Sequence, residues 1–358
     1  MTAVSEAAER VEAMLAQAPA RLSLSDFLAE SKLRSVVVGT SKDPNAKITI
    51  LLTAPQLRRV VAAVKVPTTD EAAGVVASEA CMLRRLAEMA PELRTTVPRD
   101  IGTIDFHGRP GLVMTAVPGA SMLTSYGRRG RGADRRVAGH FSAAGEWLAR
   151  LQRATATERA PLDMDGGVAA RLETRFGDDD RIGDDLERLA AIHARLARSM
   201  APRTAVHGDF WYGNVLLENG VASGVVDWEA GEISGEPVRD LVRFSHMYAL
   251  FLDRGTAPGR RVPGHPQLRA GTWGAGVEYA LSGSGWFSDL VRTFLQAGLA
   301  RLGAAPEGWR DAALAGIAEV AALTDHPEFA RSNLELFRRL ARNVRGLARR
   351  RPVELVQA

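Results

Sequence analysis

The sequence predicts an α+β fold in two lobes, a small antiparallel sheet with one helix followed by a larger, mainly helical part, and three observations predict it. Runs of β-branched residues crowd positions 35–66, Pro118 and Gly119 interrupt the pattern, and from about residue 137 apolar side chains recur at helical spacing. At roughly 100–200 residues per domain, 358 residues exceed one ordinary unit. With 46% apolar and 25% charged residues, disorder is excluded for most of the chain.

Taken in order, residues 1–30 carry Val11, Met14, Leu15 and Leu22 at helical spacing and read as a helical extension. Three strands follow, at Val36–Val38, Ile48–Leu52 and Val60–Val64, with Gly39 to Asn45 as the first turn. Thr68 with Glu71 fits a capping box, and Val75, Val76, Glu79, Met82, Leu83 and Leu86 then mark a helix. Two more strands, around Ile101–Phe106 and Leu112–Val117, flank a turn at His107–Gly111, so the N-lobe spans 31–117. The C-lobe, 118–358, holds a helix lined by Phe141, Ala144, Trp147, Leu148 and Leu151, a hairpin at 215–226, and several helices over 240–345, the last from about 331 to 349.

Composition removes several functions. The single cysteine, Cys81, rules out an intrachain disulfide and a multi-cysteine metal site, and reads as a packing residue. The formal charge of +4 is too small to favour nucleic acid as a partner. No run approaches the ~18 apolar residues of a membrane span, and Glu6 and Glu9 stand where a signal peptide is basic and then apolar, so a cytoplasmic location with no membrane partner is expected. The arginines at 128, 129, 131, 135 and 136 and the acidic cluster Asp178–Asp180 with Asp184 and Asp185 read as solvated surface.

Arginine is the default cation, for only Lys32, Lys42, Lys47 and Lys65 are lysines among 46 basic residues. A lysine kept in that background supplies a compact ammonium where a planar guanidinium does not fit. Lys65 lies inside an apolar strand, and Glu79, on the core-facing stripe of the next helix, needs a cation to be buried cheaply. A purely structural ion pair would use the same two residues.

The segment HGDFWYGNVLLENGVASGVVDWE, residues 207–229, is the richest in chemistry. Asn219-Gly220 favours a tight hairpin, whose pairing brings Asn214 and Asp227 to its open end, with Asp209 on the loop that feeds it. Such an oxygen-rich site suits Mg²⁺. The protein-kinase template needs the same parts: a loop Asp, an Asn five residues on, an Asp after a hairpin, and a strand lysine paired with a helix glutamate. Trp211, Tyr212 and Trp228 read as packing around the loop, and His246 and His326 lack a second ligand at metal-binding spacing.

The order strand lysine, helix glutamate, HGDxxxxN and a DW dipeptide resembles the aminoglycoside phosphotransferase and choline kinase superfamily, over roughly residues 35–245. The resemblance implies a bilobal protein-kinase-like fold, with ATP and Mg²⁺ as cofactors and transfer of the γ-phosphoryl group to a hydroxyl of a small molecule of the aminoglycoside, sugar or amino alcohol class. It implies Asp209 as catalytic base, Asn214 and Asp227 as Mg²⁺ ligands, Lys65 on the ATP phosphates and Glu79 orienting that lysine. The backbone from Thr115 to Val117 would hydrogen-bond the adenine. Asp240 and His207 take structural roles, and Gln152 stands where many relatives have histidine. The glycine-rich kinase loop is missing, and Gly39, Thr40 and Ser41 occupy its place, where backbone N–H groups or hydroxyls would cradle phosphates. A kinase of peptide Ser or Thr and a non-catalytic nucleotide-binding scaffold use the same residues. A polycationic acceptor calls for the acidic cluster at 178–185 to face the cleft, an anionic one for the arginines near 128.

Overall fold

A computed structural model describes residues 7–11, 13, 34–40, 45–54, 59–126 and 133–342. Its first part is a five-stranded antiparallel sheet of β1 (Arg34–Thr40), β2 (Lys47–Ala54), β3 (Arg59–Pro67), β4 (Asp100–Phe106) and β5 (Arg109–Thr115), in the order β1-β2-β3-β5-β4. Alternation divides its two faces. Ile48, Ile50, Leu52, Ala62, Val64 and Val66 join one core, which helical residues Ala7 and Val11 cover from outside. The other face carries Lys47, Thr49, Ala63 and Lys65, because Thr49 pairs with Lys65 and Lys47 with Pro67.

Helix α1 (Asp70–Met89) crosses that sheet. Its cap is Thr69, whose side chain accepts from the Ala72 N–H at 3.1 Å, rather than the expected Thr68. Thr68 stays with the sheet, its N–H and its hydroxyl both donating to the Ala46 carbonyl. Asp70 and Glu71 then lie in the first turn, where negative charge complements the helix dipole. The stripe Val76, Met82, Leu83 and Leu86 is buried, each such side chain contributing about 1.5–3 kcal/mol, and Glu79 is buried among them. Cys81 is exposed on this helix, not packed as its type led us to expect. The β4–β5 turn is also tighter than expected: His107 and Gly108 both adopt positive φ, 54° and 78°, so two residues suffice.

Past Thr115 the chain crosses into the helical part. Ala116 N–H still donates to the Val61 carbonyl, and β6 (Ala120–Ser121) pairs with Leu216 and Leu217 of the 215–226 hairpin. Ser223 donates to the Pro118 carbonyl at 2.7 Å, and Gly119, at φ 114°, lies so close to Ser223 that a Cβ would overlap its hydroxyl. A short helix, α2 (Leu123–Tyr126), and the central α3 (Ala133–Ala154) follow, then α4 (Val168–Phe176) and α5 (Ile182–Leu196). Trp147 of α3 stacks on Phe210 and lies against Trp228, which seats the 207–229 segment on the main core.

The minor strands β7 (Arg159–Pro161) and β8 (Met200–Pro202) pair, as do β9 (Thr204–Val206) and β12 (Glu232–Gly235), and β13 (Arg261–Val262) and β14 (His265–Arg269). Hairpin β10 (Val215–Glu218) and β11 (Val221–Val225) turns at Asn219-Gly220, both at positive φ, as the sequence predicts. Helices α6 (Val238–Leu250), α7 (Ala275–Ser282), α8 (Trp286–Arg301), α9 (Trp309–Leu323) and α10 (Pro327–Arg342) complete the larger part. The last begins four residues before its expected start, and the stretch expected over 343–349 lies outside the described residues, as do Arg128, Arg129 and Arg131.

Candidate active site

One buried carboxylate shapes the loop that carries Asp209. Asp240, in the first turn of α6, accepts the N–H groups of His207 at 2.7 Å and Gly208 at 3.0 Å. Burial pushes its pKa up, against the opposing effects of His207 and those two N–H donors. His207 accepts the Asp209 N–H at Nδ1, so Nε2 carries the proton and donates to the Val226 carbonyl at 3.0 Å. It therefore braces the loop, as expected. Gly208, at φ 78°, is required: a Cβ there would stand 2.1 Å from the Ala230 carbonyl oxygen.

Asn214 is tied to Asp209 and to the hairpin at once. Its Nδ2 donates to the Asp209 carbonyl at 3.0 Å and to Asp209 Oδ2 at 3.2 Å, while its own carbonyl accepts the Val226 N–H. With Nδ2 committed, the amide oxygen is the group left to face a cation. The other Asp209 oxygen, Oδ1, accepts from Arg243 Nη2 at 2.6 Å and Nε at 3.1 Å. Arg243 was not foreseen. It stands three residues after Asp240, so one face of α6 holds both the backbone of this loop and the carboxylate it presents.

Lys65 and Glu79 meet as predicted, at 2.5 Å, with Glu79 fully buried. The second Glu79 oxygen accepts the Trp228 N–H at 3.1 Å, joining α1 directly to the segment after β11. Lys65 also binds Asp227, a non-glycine residue at φ 73°, a left-handed conformation that aspartate tolerates better than most. Burial alone would lower the Lys65 pKa, but Glu79 and Asp227 outweigh it and the net shift is upward. For Asp227 burial raises the pKa, and the charge and hydrogen bond of Lys65, helped by Lys47, bring it below the ordinary carboxylate value.

Two residues absent from the prediction complete this cluster. Lys47 pairs with Glu229, and Glu229 comes within 3.8 Å of Lys65. Glu79, Asp227 and Glu229 lie within 4.8 Å of one another, with the two ammonium groups as their counter-ions. The signal for Lys47 was its membership of a set of four lysines.

The remaining predicted positions are more peripheral. Gly39 and Thr40 belong to β1 rather than to a turn, since they pair with Thr49 and Ile48, and Gly39 thereby shares a cross-strand row with Lys65. Ser41 lies outside the described residues. Thr115 ends β5, exchanging bonds with the Arg99 backbone through its own N–H and its hydroxyl, and the Val117 side chain rests against Gly224, where a Cβ would clash with it. Trp228 and Tyr212 are buried and Trp211 packs edge-on against Tyr212, which matches their reading as packing residues.

A cavity of about 330 Å³ opens beside Asp209, with Glu229, Arg239, Arg243, Glu319 and Asp325 among its walls. Arg239 bridges Glu232 and Glu319 there. The acidic cluster divides: Asp178, Asp180 and Asp184 are exposed, as expected of solvated surface, whereas Asp185, buried, and Asp179 both accept from Arg338 of α10, and Arg181 links Asp179 to Glu335. Hydrogen bonds from Arg181 and Arg338 hold the Asp179 carboxyl well below its usual range.

The sequence model of the phosphotransferase enzyme family matches residues 49–268. No curated protein sequence matches the chain. Among solved structures, the fold is similar to the ADP-bound aminoglycoside phosphotransferase APH(2'')-Ib, at 14% identity over 89% of this chain and 95% of that one, TM-score 0.51. It is also similar to the macrolide 2'-phosphotransferase MphH from Brachybacterium faecium, at 14% identity over 92% and 98%, TM-score 0.52. A thermostable mutant of aminoglycoside phosphotransferase APH(4)-Ia, in ternary complex with AMP-PNP and hygromycin B, is similar at 11% identity over 89% and 98%, TM-score 0.54. At these identities the likeness is one of fold.

Proposed function

The chain belongs to the phosphotransferase enzyme family, whose model spans more than half of it, and from that premise we propose that it moves the γ-phosphoryl group of ATP, with Mg²⁺, to a hydroxyl of a small molecule. One observation carries this reading: Lys65 binds both Glu79 and Asp227, and Val226, next to Asp227, donates its N–H to Asn214, which in turn holds Asp209, so the five residues are linked from the sheet to the 207–229 loop. ADP and AMP-PNP in the solved relatives support a nucleotide here, and hygromycin B in one of them supports a small hydroxyl-bearing acceptor.

On this reading the nucleotide lies between an N-lobe of residues 31–117 and a C-lobe from 118 onward, its adenine against the Thr115–Val117 backbone, with Gly39, Thr40 and Ser41 near its phosphates. Lys65 binds the phosphates as a point charge, and Glu79 keeps its ammonium aimed. The donor set fits Mg²⁺, since the Asn214 amide oxygen and the Asp227 carboxylate are hard oxygen ligands. Bound there, Mg²⁺ neutralises charge on the phosphoryl oxygens. Asp209 orients the acceptor hydroxyl and takes its proton as the oxygen–phosphorus bond forms and the bond from phosphorus to the β-phosphate oxygen breaks. Most of the rate comes from positioning, because the transition state is loose and its charge sits on phosphoryl oxygens. The cavity beside Asp209 is the acceptor's place, which leaves aminoglycosides, sugars and amino alcohols as the classes to screen.

Thermal unfolding with Mg²⁺-ATP tests the nucleotide site without knowledge of the acceptor. A ligand at about 100 times its dissociation constant adds about 2.7 kcal/mol, and Asp227→Ala is expected to lose that shift. Asp209→Asn is expected to keep it while abolishing turnover. Unchanged turnover in Asp209→Asn would remove the mechanism.

A further inference from the structure

Lys47 has no part in the mechanism above, yet its burial and its partner call for an account. It sits on the same sheet face as Lys65, two residues farther along the adjacent strand in register, so the two ammonium groups project toward one cluster. Only 9% of Lys47 is exposed, and burial, followed by the charge of Lys65, lowers its pKa. An ammonium held so is costly unless an anion meets it.

The two lysines differ in how their anions are held. Lys65 is locked between Glu79, which is fully buried and also holds Trp228, and Asp227. The side chain of Glu229, the partner of Lys47, is 29% exposed and forms part of the wall of the cavity beside Asp209. A buried cation with an anion at the solvent edge can exchange that anion for another. A polyphosphate entering beside Lys65 meets three carboxylates and one ammonium already bound twice, so beside the Mg²⁺ of the reading above a second ammonium offsets the added negative charge.

We propose that Lys47 is a second phosphate-binding cation of the nucleotide site, held ready by Glu229, which yields it to the phosphates when the nucleotide enters. This inference rests on the nucleotide reading given above. In a chain whose remaining basic residues are almost all arginine, a lysine here supplies an ammonium compact enough to share the space with Lys65.

The test is binding of Mg²⁺-AMP-PNP and of adenosine to the full chain by calorimetry, for the wild type and for Lys47→Met, Lys47→Arg and Glu229→Gln. A lost charge-assisted contact predicts that Lys47→Met weakens AMP-PNP by about 10- to 100-fold, with adenosine unchanged within about twofold. Lys47→Arg, which keeps the charge if the apolar variant folds poorly, is expected to retain part of the loss-sensitive affinity. Glu229→Gln is expected to bind AMP-PNP at least as tightly as the wild type, because the charge of Glu229 then no longer competes with the phosphates for Lys47. Equal weakening of both ligands in Lys47→Met, or weakening of AMP-PNP by Glu229→Gln to match Lys47→Met, would mean a structural ion pair and overturn the inference. Wild-type affinity for AMP-PNP in Lys47→Met would overturn it alone, whereas a wild type that binds no AMP-PNP would remove the nucleotide reading along with it.

Discussion

Replacing Glu79 by glutamine preserves the volume of the side chain and removes only its charge and one acceptor. Both carboxylate oxygens are in use, Oε2 on Lys65 and Oε1 on the Trp228 N–H, and the residue has no access to water. A glutamine oxygen can keep one of these bonds, and its amide nitrogen then faces a second donor. Losing one charge-assisted bond and burying an unmatched donor predicts destabilisation of about 3 kcal/mol, moderated because Lys65 keeps Asp227 and lies near Glu229. Urea denaturation is the assay, and the midpoint is expected to fall with the slope unchanged. Lys65→Met is expected to cost as much or more, since Glu79 is then buried with Trp228 as its remaining donor. Combined, the two changes are expected to cost at least about 1 kcal/mol less than their sum, because they remove the same contact. A loss below about 0.5 kcal/mol for Glu79→Gln, or strict additivity, would refute the claim that this bond ties α1 to the segment after β11.

Two more expectations follow from geometry and titration. Gly208→Ala places a Cβ 2.1 Å from the Ala230 oxygen at φ 78°, so we expect a loss of roughly 2 kcal/mol or more in thermal unfolding, together with loss of turnover; a variant as stable and active as the wild type would contradict the loop geometry. Burial, with Arg136 nearby, pulls His140 down to about 4, and burial, with Arg243 nearby, pulls His246 down to about 3. Because an unfolded histidine titrates near 6.5, the stability these neutral rings contribute is complete above that pH and is lost as the pH falls toward the folded values, at about 1.4 kcal/mol per unit for each. His246→Leu should therefore flatten the decline in urea stability between pH 6 and 4.5, and an unaltered slope would show that the ring is not held neutral.

What could be read from sequence was what lies close together in the chain or repeats along it. The 207–229 segment carries its own hairpin and three oxygen-bearing residues within a short span, so its convergence follows from local pairing. The Lys65–Glu79 contact needs only a strand and the next helix. Glu229 and Arg243 escaped notice because their roles depend on where Lys47 and Asp209 come to lie, which no periodicity encodes. Asp179 and Asp185 depart from the solvated reading of their cluster for the same reason, their partner Arg338 being about 150 residues downstream. Errors of detail, such as Thr68 for Thr69 or a five-residue turn for a two-residue one, arose where a backbone bond to a neighbouring strand decided between adjacent residues.

The crossing between the sheet and the helices is fastened at both ends, to β3 through Ala116 and to the hairpin through Pro118 and the β6–β10 pairing. Such a joint leaves no slack: residues 117–119 could not be lengthened or shortened without breaking strand pairing on one side of them, so the same three residues set how the strands that carry Lys47 and Lys65 meet the hairpin that leads into Asp227 and Glu229.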